Sequence, residues 1–127
     1  MGDEARNILI IDDDPDIRRL LEQFLAREGY NILTASTGAE AEQIYLENPP
    51  DLVITDIIMP DREGIETIRE MRRMYPEMTI VAISGGGRID SQDYLVLARK
   101  LGADRTFGKP FDLAEMLNYI REALGDA

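Results

Sequence analysis

The order of apolar and polar positions divides the chain into short unbroken apolar runs alternating with longer stretches of helical period. The runs are Asn7 to Asp12, Tyr30 to Ala35, Leu52 to Asp56, Thr79 to Ser84 and a weaker one near Arg105 to Gly108. Each is too short for a typical helix and most are rich in β-branched residues, which predicts buried strands. The intervening stretches carry apolar residues on one helical face. Ile17, Leu20, Leu21, Phe24 and Leu25 form the first such stripe, and Ile65, Ile68 and Met71 share another. Tyr94, Leu95, Leu97, Ala98 and Leu101 mark a fourth helix, and Leu113, Met116, Leu117, Ile120 and Leu124 line the last. Local signals bound these elements. Asp14 caps the first helix with Pro15 in its first turn, and Gly29 ends it. Thr37 with Glu40 makes a capping box for the second helix, which stops before Pro49, and Asp112 with Glu115 resembles another cap. Gly64 precedes the third helix and Pro76 follows it, Gly85-Gly86-Gly87 reads as a loop, and Met1 to Arg6 reads as a flexible tail.

Five strands alternating with five helices through short links predict an α/β fold, a doubly wound parallel sheet with helices on both faces. The common five-stranded version is flavodoxin-like, with strand order 2-1-3-4-5. Its ligands bind at the strands' carboxyl ends, beside the switch point between strands 1 and 3. No repeat, linker or low-complexity stretch interrupts the pattern, so residues 1–127 read as one domain.

Composition narrows the chemistry more than the fold. A formal net charge of −11 argues against nucleic-acid binding by this chain, because phosphate contacts need a basic surface. There is no cysteine and no histidine, so thiolate chemistry, disulfides and the usual near-neutral base are excluded. What remains is carboxylate, hydroxyl and lysine chemistry. No apolar stretch is long enough to span a membrane and the charged N-terminus is unlike a signal peptide, so the expectation is a cytoplasmic protein without a membrane partner.

Those residue types gather at strand ends. Asp12 and Asp13 close the first strand, Asp56 the third and Ser84 the fourth, and Lys109 follows the fifth. Taken singly, each has a bland reading: a solvated acid, a turn serine, a surface lysine. Asp14 reads better as a cap than as a ligand, and Asp16 as first-turn charge. All of them falling at carboxyl ends of separate βα units is what points to a site. Three carboxylates in one crevice repel, so either some are protonated or a cation sits among them. All-oxygen ligands favour a hard ion, and Mg²⁺ suits a site of few carboxylates beside phosphate. Asp56 can then act as a nucleophile that forms an aspartyl phosphate, with Lys109 and the Ser84 hydroxyl on the phosphoryl oxygens. Other motifs fail. Asp12-x-Asp14-x-Asp16 begins like a calcium-binding EF-hand loop, but Ile17 and Gln23 stand where glycine and glutamate are required. The triple glycine lacks the lysine of a phosphate-binding P-loop.

With these residues in view, the chain resembles the receiver domain of bacterial two-component response regulators, of the chemotaxis-regulator-like kind. The likeness runs through Ile8 to Asp14, Asp51 to Gly64, Val81 to Ser84, and Gly102 to Asp104 with Lys109-Pro110-Phe111. The resemblance implies that Asp56 is the phosphoacceptor and that Asp12 and Asp13 hold Mg²⁺, with the Ile58 backbone carbonyl as a further ligand. It implies that Ser84 is the switch hydroxyl, that Lys109 contacts the phosphoryl group and that the Lys109-Pro110 bond is cis. It further implies a phosphohistidine donor on a sensor histidine kinase or histidine phosphotransfer protein. A downstream effector protein or domain would read the loop after the fourth strand and the face built from the fourth helix, fifth strand and fifth helix. Such a domain catalyses only its own phosphorylation and dephosphorylation. Two departures stand out. Thr106 occupies the position of the usual aromatic, with Phe107 on the opposite strand face, and the triple glycine suggests a mobile loop between the fourth strand and fourth helix that orders on phosphorylation. Neither Ile58 nor Gly86 offers a polar side chain to orient water, which predicts slow dephosphorylation.

Two other readings compete. A Mg²⁺-dependent phosphatase or phosphotransferase would place a second Asp two residues after the nucleophile, where this chain has Ile58, and would need a cap domain. A receiver-shaped scaffold that works without phosphorylation is kept open by Thr106. The chain reads either as a stand-alone receiver or as one cut from a longer regulator.

Overall fold

The computed structural model describes residues 5–57, 64–85 and 91–125. Five strands, β1 (Asn7–Ile11), β2 (Asn31–Ala35), β3 (Leu52–Asp56), β4 (Thr79–Gly85) and β5 (Arg105–Lys109), form one parallel sheet of order β2-β1-β3-β4-β5. The helices α1 (Pro15–Arg27), α2 (Gly38–Glu47), α3 (Gly64–Met74), α4 (Ser91–Leu101) and α5 (Leu113–Leu124) connect them. This is the flavodoxin-like (βα)5 arrangement expected from the sequence.

The sheet is buried on both faces, which is why its central strands read as unbroken apolar runs rather than as alternations. Ile8, Leu9, Ile10 and Ile11 are all fully buried, yet alternate residues enter different cores. Ile8 and Ile10 join Leu21 and Leu25 of α1 and Met116, Leu117, Ile120 and Leu124 of α5. Leu9 and Ile11 join Ala41 and Tyr45 of α2, Ile68 and Met71 of α3 and Ala98 of α4. Burial of each such Ile or Leu side chain contributes about 2 kcal/mol.

The helix ends follow their local chemistry. Asp14 caps α1 by accepting the Asp16 N–H, and Thr37 caps α2 by accepting the Glu40 N–H. Asp112 caps α5 through the N–H groups of Ala114 and Glu115. The Glu40 carboxylate reaches back to the N–H and hydroxyl of Ser36, one residue earlier than a capping box requires.

Several expectations need correction. Leu20 is 44% exposed because it lies at the edge of the α1 stripe, on the side away from Leu25, and Leu97 of α4 is exposed as well. Gly85 belongs to β4, where it pairs with Lys109. Arg6 is no part of a loose tail, since its carbonyl accepts the Asn31 N–H at 2.9 Å and so extends the β1–β2 edge. Phe107 does face away from Thr106: it is buried in the α1–α5 core, while Thr106 is half-buried beside Ala82.

Where α4 ends, Arg72 of α3 ties four segments together. Its guanidinium donates to the Gly102 carbonyl twice (3.1 and 2.8 Å), to the Pro76 carbonyl (2.7 Å) and to the Asp104 carboxylate (2.7 Å). Asp104 in turn accepts the Ile80 N–H and donates its own to the Ile80 carbonyl. Gly102 has φ +133°, and a Cβ there would stand 2.9 Å from Arg72 Cβ and Cγ. Only glycine fits.

Candidate phosphoacceptor and metal site

Strands β1 and β3 run side by side, with Ile11 in register with Thr55, so the residues that follow meet at the carboxyl rim. Asp12, just past β1, is fully buried, Asp56 is 6% exposed and Asp13 is exposed. Carboxylate oxygens of all three lie within 4.8 Å of one another. Lys109, the last residue of β5, comes to the same place across the sheet. Its Nζ donates to Asp12 Oδ2 at 3.0 Å and stands 3.5 Å from Asp56 Oδ2. The Lys109-Pro110 peptide bond is cis, as the resemblance implied.

Burial works against the Lys109 charge. The hydrogen bond to Asp12 and the charges of Asp56 and Asp12 outweigh it, and the ammonium is held above the ordinary lysine value of 10.5. The lysine is therefore a permanent cation near neutral pH. Among the described residues, three carboxyl groups and one ammonium share the crevice, an excess of acids that suits an incoming cation.

Asp12 is fixed on several sides. Its N–H donates to the Ala35 carbonyl, and Oδ1 accepts the Asp14 N–H at 2.9 Å while Oδ2 takes Lys109. The Arg18 guanidinium of α1 donates to the Asp12 backbone carbonyl at 2.7 Å. Asp14 is a cap and turns its carboxylate to the helix N-terminus, in agreement with the sequence reading.

Ser84 ends the apolar stretch of β4, one position beyond the residue paired with Asp56. Its side chain is 1% exposed, and its Oγ has no hydrogen-bond partner among the described residues. Among the described residues its O–H is uncommitted and can donate to an acceptor brought to the rim. The structure brings Asp12, Asp13, Asp56 and Lys109 of the expected set together. Ile58, Gly86 and the rest of the β4–α4 loop lie outside the described residues. Arg18 was missed, since nothing in one dimension shows that its side chain folds back toward β1.

The comparisons with known proteins decide the family. A model of the response regulator receiver domain matches residues 8–121. The chain belongs to the response regulator receiver family. A receiver domain protein from Clostridium thermocellum is 32% identical over 95% of both chains, with a TM-score of 0.87. A CheY-like receiver domain protein from Methanospirillum hungatei is 31% identical over 97% of this chain and 96% of its own, with a TM-score of 0.85. NtrX from Brucella abortus is 31% identical over 96% of this chain with a TM-score of 0.87, but the match covers only 27% of that longer protein. Receivers are signalling modules that take up and release a phosphoryl group on themselves rather than enzymes acting on external substrates. The acidic cluster of Asp12, Asp13 and Asp56 stands where receivers carry that chemistry. Among the described residues no helix is long and apolar enough to cross a membrane.

Proposed function

We propose that Asp56 accepts a phosphoryl group from a phosphohistidine on a sensor histidine kinase or histidine phosphotransfer protein. The convergence of the Asp12-Asp13-Asp56 cluster, the Lys109 ammonium and the Ser84 hydroxyl, unpartnered among the described residues, supports this reading above all else. An Asp56 carboxylate oxygen attacks phosphorus in line with the donor's P–N bond. The new O–P bond forms as the P–N bond breaks, and the departing imidazole takes up a proton. Lys109, already within reach of Asp56, turns from the carboxylates toward the phosphoryl oxygens, and Ser84 Oγ–H donates to one of them.

The donor set fits Mg²⁺: it is all oxygen, closely spaced and negatively charged. Asp12, Asp13 and Asp56 would hold the ion, with the Ile58 carbonyl as a further ligand, and the bound ion would neutralise charge on the transferring group. Output passes to an effector protein or domain through the β4–α4 loop and the α4-β5-α5 face, without the aromatic that Thr106 replaces. Residues 1–127 act as one receiver unit.

Intact mass after incubation with acetyl phosphate and Mg²⁺ tests the assignment. One labile phosphoryl adduct is expected, absent in Asp56→Asn and when EDTA is present. No adduct on the parent chain, under conditions that modify another receiver, would sink the reading and favour a scaffold that works without phosphorylation.

A further inference from the structure

Of the three acidic residues, Asp13 is the one whose side chain no described residue holds. Asp12 is buried and anchored through its N–H and both carboxylate oxygens, and Asp56 is buried at the end of β3. Asp13 is exposed, and among the described residues no hydrogen bond or ion pair fixes its carboxylate. Among the described residues, then, only the backbone sets the direction in which its side chain leaves the chain. The peptide joining Asp12 to Asp13 is planar, so the orientation of the Asp12 carbonyl fixes the rotation of that plane. With it are fixed ψ of Asp12, φ of Asp13 and the direction of the Asp13 Cα–Cβ bond. The Asp12 carbonyl is held by Arg18 Nη1 at 2.7 Å. Arg18 is itself well seated. Its N–H donates to the Asp14 carbonyl at 3.1 Å in the first turns of α1, and its side chain is half-buried.

We propose that Arg18 is a positioning residue for the metal site, orienting the Asp12–Asp13 peptide so that the Asp13 carboxylate stands ready beside Asp12 and Asp56. The inference rests on the Mg²⁺ reading given above. Arg18 acts on the ion in two opposed ways. As a cation near three carboxylates it repels Mg²⁺, and as a charged donor to the carbonyl it removes the rotational freedom that binding would otherwise have to freeze out. A short charge-assisted bond in a half-buried place makes the second effect the larger one. Loss of an outer-shell partner of this kind typically weakens metal affinity by about tenfold or more.

The neighbouring Arg19 supplies a control. It is exposed and only 3.9 Å from Asp16, so Arg19→Met removes the same charge from the same turn without touching the Asp12 carbonyl. Mg²⁺ affinity, measured by titration calorimetry on the folded protein, separates the effects, with circular dichroism confirming the fold of each variant. Arg18→Met is expected to bind Mg²⁺ about tenfold more weakly than the parent. Arg18→Lys should fall between them, and Arg19→Met should match the parent or bind slightly more tightly. Arg18→Met binding as tightly as the parent, or more tightly in the manner of Arg19→Met, would overturn the proposal, because Arg18 would then act only as charge. A parent chain that takes up no Mg²⁺ would instead overturn the metal reading beneath it, and a distinct result identifies that failure.

Discussion

Replacing Lys109 by Met keeps most of the aliphatic stem and removes the only cation bonded to Asp12 and Asp56 among the described residues. Removing one partner of a fully buried pair costs about 3–5 kcal/mol. Here Asp12 is wholly buried, but the Lys109 side chain is 18% exposed and Asp12 keeps the Asp14 N–H. Partial solvation reduces the expected loss to about 2 kcal/mol. For a chain of 127 residues that is a fall in Tm of roughly 7 °C. Urea unfolding in EDTA at neutral pH, followed by far-UV circular dichroism, measures it directly. Two further readings check the cause. Mg²⁺ should stabilise Lys109→Met more than the parent, because the ion fills the charge deficit that the lysine relieved, and the gap between the proteins should narrow as Mg²⁺ rises. The gap should also depend on pH in one direction. The folded-state lysine value is raised above 10.5, so its stabilisation is complete below 10.5 and is lost as pH climbs through the higher folded value. Equal stability of parent and variant in EDTA at neutral pH would refute the reasoning, as would a gap that widens above pH 10.5.

Arg72→Met should lower stability by about 2 kcal/mol in the same urea experiment, since the Gly102 and Pro76 carbonyls lose a charged donor while Asp104 keeps the Ile80 N–H. A change below about 0.5 kcal/mol would make the network ornamental. Gly102→Ala and Gly29→Ala make a matched pair: both have positive φ, but only at Gly102 does a Cβ strike Arg72. Gly29→Ala should cost about 1 kcal/mol and Gly102→Ala about twice that, and equal losses would argue against the steric contact. Thr67→Val removes a fully buried hydroxyl that has no partner among the described residues, and should leave the midpoint unchanged or raise stability by about 1 kcal/mol.

The sheet was legible because a doubly covered parallel sheet writes itself as unbroken apolar runs, and the acids closing β1 and β3 stand out against such runs. Asp14 was legible as a cap because the signal is local, one residue before a proline. What stayed hidden acts over distance or through the path of a side chain. Arg72 reaches Gly102 and Asp104 across 30 and 32 positions, and a surface-like arginine in an arginine-rich helix gives no sign of it. Arg18 looks like any polar residue of α1 until its guanidinium is seen to turn back on the Asp12 carbonyl. Leu20 shows the converse: a residue can match the helical period and still lie outside the strip that the sheet covers.

The hydroxyl of Ser84, unpartnered among the described residues, bears on the direction in which a switch would lean. A resting form in which every buried polar group were satisfied would have to break something before it could change. Among the described residues the Ser84 hydroxyl has no such bond to break, and an unmet buried hydroxyl costs about 1–3 kcal/mol. On the proposed reading, a phosphoryl oxygen arriving beside it would accept that hydroxyl's hydrogen bond as well as adding its own charge. On that reading, part of the bias toward the phosphorylated state would be present before the phosphoryl group arrives. Ser84→Ala, which has no deficit to relieve, should leave a more contented resting domain and a weaker response.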